Sequence, residues 1–76
     1  SEIFSLLQEL IDTQLTDKQR LATRAFLSDF ATDEIAEQLN MNRNAVYKLI
    51  HDARQKLKDG FARAGLTSEE IFEALA

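Results

Sequence analysis

Tyr47, Lys48, His51, Gln55 and Lys58, with Asn44 beside them, are spaced so that a helix would carry them on one side, flanked by Arg43 and Arg54. With Val46 at 0° and ~100° per residue, Leu49, Ile50, Ala53 and Leu57 fall within about 60° of it, opposite the polar group. Such an inventory suits a DNA groove. Asn and Gln pair with adenine through two hydrogen bonds, and Arg and Lys reach guanine or phosphate. Tyr adds an apolar body with a hydroxyl tip. A helix N-terminus brings free amides and a positive dipole toward phosphate. The same spacing also describes a solvent-facing helix whose charges only keep the chain soluble, so the surrounding residues must decide.

Those residues speak against catalysis. His51 is the lone imidazole, and its neighbour Asp52 points about 100° away on a helix. No nucleophile–base–orienter set converges and no Gly-rich phosphate loop occurs, so no enzyme is expected. The chain has no cysteine, which removes disulfides, thiolate metal sites and thiol chemistry. One histidine makes no His-rich metal cluster, and no cofactor is expected.

The elements that position the polar face can be read from apolar spacing, which is helical throughout. Ile3, Leu6, Leu7, Leu10 and Ile11 predict a helix over residues 2–12. Thr16 and Gln19 form a capping box that opens a second helix, with an apolar face through Leu21, Ala22, Ala25 and Phe26 as far as Asp29. Thr32 is the expected N-cap of a short third helix, with Asp33 and Glu34 in its first turn and Ile35, Ala36 and Leu39 buried. Asn40-Met41-Asn42 breaks that helix. Asn tolerates the left-handed conformation of a tight turn, Met41 should plug into the core, and Asn42 can cap the next helix. The fourth helix starts at Arg43 and is expected to be the longest; Phe61 and Ala64 extend its apolar face past Gly60 toward a stop at Gly65. Thr67 and Glu70 form a second capping box before Ile71, Phe72 and Leu75. A short helix, a three-residue polar turn and a longer helix are the grammar of a helix-turn-helix. The expected fold is therefore all-α, a small bundle of four to five helices.

Seventy-six residues is the length of one domain, and 45% hydrophobic with 29% charged residues is a globular balance. The expected organisation is one domain over 1–76, with a core at 15–58, an acidic N-terminal helix at 2–12 and an acidic C-terminal helix at 68–75. The net charge of −4 argues at first against a nucleic-acid partner. Its distribution does not: residues 1–17 carry −4, residues 18–58 carry +3 and residues 59–76 carry −3. Residues 43–58 alone hold Arg43, Lys48, Arg54, Lys56 and Lys58 against Asp52. At a Debye length of about 8 Å, a ligand on that segment feels mostly that segment. No apolar run approaches the ~20 residues of a membrane span, and no export signal opens the chain. Lacking an initial Met, the chain is expected to be a fragment of something longer.

From Leu15 to about Lys58 the chain resembles region 4 of bacterial sigma factors, the extracytoplasmic-function group of the sigma-70 family in particular. The resemblance rests on LTDKQR, EIAEQL, NMNRNAV and HDARQKLK, above all on Glu34-Ile35-Ala36-Glu37-x-Leu39 and Ala53-Arg54-x-x-Leu57 with Val46 between them. It departs from the family where Thr16 stands for Pro, Asn40 for Gly, Asn44-Ala45 for Gly-Thr and Tyr47-Lys48-Leu49 for Lys-Ser-Arg. The resemblance implies a domain that binds the −35 element of double-stranded promoter DNA and touches the β flap of core RNA polymerase. It implies an anti-sigma factor as a further candidate partner, and a cytoplasmic, nucleoid-associated place in a bacterium. Arg43, Asn44, Tyr47, Lys48 and His51 would be base and phosphate contacts along the reading helix, which continues through Arg54, Gln55 and Lys58. Lys18, Arg20 and Arg24 would be candidates for DNA-backbone contacts. Two rivals stay open at this point: the DNA-binding effector domain of a response regulator, and a module used mainly for protein contacts.

Overall fold

The computed structural model describes residues 2–75, with side chains for residues 2–73. Among them run five α-helices: α1 (Glu2–Gln14), α2 (Asp17–Leu27), α3 (Thr32–Leu39), α4 (Arg43–Arg63) and α5 (Ser68–Leu75). The all-α bundle expected from the spacing is present, and α2, α3 and α4 form its helix-turn-helix. Leu75, expected on the apolar side of α5, has its side chain outside the described residues.

Helix α4 is the hub, packing against α1, α2 and α3, whereas α5 packs against α1. Its apolar stripe is divided between two clusters. Ala53, Leu57 and Phe61 join Leu10, Ile11 and Leu15, with Leu66 and Ile71 at the edge. Val46 joins Ala22, Ile35 and Ala36, with Leu39, Met41, Leu49 and Ile50 packed around it. Gly60 lies within α4 and does not end it. A Cβ there would come within 2.7 Å of Leu10 Cδ2, so the glycine lets α1 approach closely. That approach offsets the ~1 kcal/mol that glycine costs a helix interior.

Helix ends are settled by local chemistry. Thr16 Oγ1 accepts from Gln19 N at 3.2 Å while Thr16 N donates to Gln19 Oε1 at 3.0 Å, closing the expected box. Thr67 and Glu70 close the second in the same way. Asn42 caps α4, its Oδ1 accepting from Ala45 N at 2.8 Å. At the C-termini one solution recurs. Asp29, Asn40 and Gly65 all have positive φ, and the apolar residue after each (Phe30, Met41, Leu66) donates its N–H to a carbonyl five residues back. This is the Schellman motif with its hydrophobic follower.

Two expectations are corrected. Thr32 is not the N-cap of α3; Ala31 is, with φ −68° and ψ 151°, and Thr32 is the first helical residue. Ala31 brings no side-chain acceptor to the first turn; Glu34 makes only the returning half of a capping box, accepting from Ala31 N at 3.0 Å, and Thr32 faces Tyr47 instead. Leu21 and Phe26 do not lie in the buried face of α2, being 57% and 51% exposed. That face is Gln19, Ala22 and Thr23, because Gln19 is drawn inward by polar partners. Its Oε1 accepts from Thr16 N and also from Lys56 Nζ of α4 at 3.0 Å.

Arg20 ties α1 to α2. Its Nε donates to Ile11 O at 3.1 Å and its Nη2 to Asp12 O and Leu15 O at 3.0 and 2.9 Å. Two of those carbonyls are among the last four of α1, which have no acceptor role inside the helix. Nη1 pairs with Asp17 at 2.9 Å. Arg20→Met should lower stability by about 2 kcal/mol, since it strips charged donors from partly buried carbonyls; the urea midpoint should fall with an unchanged slope. Asp29→Gly should act the other way, raising stability by about 0.5 kcal/mol because the left-handed backbone there strains a side-chain-bearing residue. Its thermal midpoint should rise.

Candidate nucleic-acid interface

Because α4 commits its apolar stripe to two clusters, its opposite side is left outward. Arg43, Asn44, Tyr47, Lys48, His51, Arg54, Gln55 and Lys58 are all exposed. The eight residues singled out by spacing thus share one helix and one uncovered face. Helix α5 rests on α1 and borders the second half of that face, where His51, Arg54, Gln55 and Lys58 share a groove with Ser68, Ile71 and Phe72 and remain exposed.

At its start α4 is unusual electrostatically. Its first turn holds no acid and begins with Arg43, although the positive end of the helix dipole disfavours a cation. Asp33 of α3 offsets this, its Oδ1 lying 3.0 Å from Arg43 Nε. Arg43 Nη2 in turn reaches the Tyr47 hydroxyl at 3.4 Å. Hydrogen bonds donated by Arg43, and after it by Thr32, hold the pKa of the Tyr47 hydroxyl below its ordinary value. The same bond to Tyr47, then the Asp33 charge, raises Arg43. A cation, a phenol and the free amides of a helix start therefore converge where α3 meets α4.

Further along, Lys48 stands 3.6 Å from Asp52 in an exposed pair, a contact worth too little to hold the ammonium away from a phosphate. His51 and Arg54 line both a small hollow with Phe26, Thr32, Ile35 and Tyr47 and a larger groove beside α5. That groove has an apolar floor of Leu7, Leu27, Leu57, Phe61, Ile71 and Phe72, with Arg54 and Lys58 at its rim. Phe72 is 74% exposed there.

The second-helix cations are placed differently from one another. Lys18 is exposed. Arg24 pairs with Asp12 at the surface. Arg20 is half-buried, with its donors spent on α1 carbonyls and Asp17, so it serves the fold first. Sequence reasoning missed Asp33 as a partner of Arg43 and Lys56 as a partner of Gln19; both contacts join helices, and neither leaves a local spacing signal. Among the described residues no group of three or more His, Asp or Glu could hold a metal, and no helix is long and apolar enough to cross a membrane.

The model of the family Sigma-70, region 4 matches residues 5–57. The match begins within α1, ahead of the Leu15 that opens the resemblance in the sequence, and stops before the end of α4, leaving α5 outside. No curated protein and no solved structure matches the chain. With most of its length matched and a helix-turn-helix in place, the chain belongs to the sigma-70 region 4 family, whose non-catalytic domains recognise the −35 promoter element and contact core RNA polymerase.

Proposed function

We propose that α4 lies in the major groove of the −35 element. Arg43, Asn44, Tyr47, Lys48 and His51 then meet base edges and the nearest phosphates, and Arg54, Gln55 and Lys58 track the backbone. The observation that carries this reading is the division of α4 into a buried apolar stripe and an exposed face of eight polar residues. Base edges supply the sequence information, while the cations supply affinity. Lys18 and Arg24 are candidates for flanking phosphates, Arg24 by exchanging its Asp12 partner. Arg20 is a weaker candidate because its donors are engaged within the fold.

The groove between α1, α4 and α5 is the proposed seat for the β flap of core polymerase. Its apolar floor is the kind of surface a monomeric domain leaves open for a protein partner, and it is continuous with the DNA face through His51 and Arg54.

Two experiments test the two halves. Lys48→Ala and Tyr47→Ala should each weaken a duplex selected from a randomised pool by about 1–3 kcal/mol if they read bases. A Lys48 that only touches phosphate should instead weaken all duplexes alike and flatten the dependence of log K on log salt by about one unit. Full parental binding by both variants would refute the contact assignment. Phe72→Ser, at an exposed position, should leave folding and DNA affinity intact while reducing capture of core polymerase about tenfold, the loss expected of one aromatic anchor. Undiminished capture would remove the groove from the polymerase contact.

A further inference from the structure

Asp33 is out of place on a surface that meets a polyanion. It sits in the first turn of α3, is exposed, and lies beside the start of the reading helix. Within a Debye length of about 8 Å its charge works directly against phosphate. It pairs with Arg43 through Nε at 3.0 Å, and Arg43 passes the contact on to Tyr47 through Nη2 at 3.4 Å. The three side chains thus form a line across the junction of α3 and α4. A guanidinium paired at Nε with Asp33 and at Nη2 with Tyr47 is set in one orientation, with Nη1 and the second Nη2 proton left to donate, and bidentate recognition requires such an orientation. An ungripped arginine at the same position can swing to any nearby phosphate, which yields affinity with no sequence information.

We propose that Asp33 is a positioning residue for promoter reading: it presets the Arg43 guanidinium, and through it the Tyr47 hydroxyl, giving up affinity for DNA in general in exchange for discrimination between base sequences. The inference rests on α4 being the reading helix. The altered titration of Arg43 and Tyr47 accords with the same line of contacts.

The test compares the intact chain with Asp33→Asn, Asp33→Glu, Arg43→Ala and the double variant Asp33→Asn/Arg43→Ala. Each is titrated with a duplex selected by the parent from a randomised pool and with a scrambled duplex, at one salt concentration. Asp33→Asn should bind the scrambled duplex roughly threefold tighter, having lost a repelling charge near phosphate. Its preference for the selected duplex should fall at least about fivefold, the lower end of what one bidentate contact discriminates. Asp33→Glu should recover part of that preference. In the Arg43→Ala background, Asp33→Asn should leave the preference unchanged. If Asp33→Asn tightens both duplexes by one factor, Asp33 is only a distant negative charge and the positioning role is wrong. The role is equally wrong if the preference falls further in the Arg43→Ala background. If Arg43→Ala alone alters binding to neither duplex, it is the reading of α4 at its start that fails, and this proposal with it.

Discussion

A 21-residue helix that must bury one stripe against three neighbours has no freedom left in how it presents the other side. Val46 is held by Ala22, Ile35 and Ala36, and Leu57 and Phe61 by Leu10, Ile11 and Leu15. Rotating α4 by even a quarter turn would displace both sets at once, and in one direction it would drive Tyr47 into a cluster. Each large apolar side chain so displaced forfeits about 1.5–3 kcal/mol of burial. Packing therefore fixes the azimuth of the outward face more firmly than any contact on that face could.

Electrostatics then assign each charge a place. The net negative charge sits at the two ends of the chain, where α1 and α5 carry acids and no cation, and most cations lie in between. Not every cation in the middle serves the outer face. Arg20 turns toward the carbonyl end of α1, and Lys56 reaches Gln19 to tie α4 to the start of α2. Lys18 and Arg24 stay on the surface of α2, Arg24 paired with Asp12, and Arg43, Lys48, Arg54 and Lys58 form the exposed stripe of α4, where a net charge of −4 for the chain has little say because screening confines each ligand to its own neighbourhood.

Much of this was legible in the sequence, and the reasons are particular. The five helices could be read because i, i+3 and i+4 spacing reports burial directly, and because Thr16/Gln19, Asn42 and Thr67/Glu70 announce helix starts through local hydrogen bonds. Asn40-Met41 could be read as a left-handed turn with an apolar follower, which it is. The misreadings have a common source. Leu21 and Phe26 look like core by composition, but α2 turns Gln19 and Thr23 inward, Gln19 finding polar partners in its own helix cap, Thr16, and in Lys56 of α4. Thr32 looks like a cap, but the helix takes Thr32 as its first residue and leaves the cap position to Ala31, whose own amide Glu34 accepts. On α4 the exposure of the eight polar residues was visible from periodicity alone, whereas the place of Asp33 was not, since its contact with Arg43 crosses a turn that only the fold closes.

The central claim is that the outward side of α4 is where DNA binds. A titration of the ¹⁵N-labelled chain with a pool-selected duplex, monitored by amide and side-chain shifts, tests it most directly. The account predicts that the largest changes cluster on Arg43, Asn44, Tyr47, Lys48 and His51, while the signals of Ile11, Ala22 and Phe61 stay in place. Changes concentrated on α1 or α5, with the start of α4 unmoved, would contradict it.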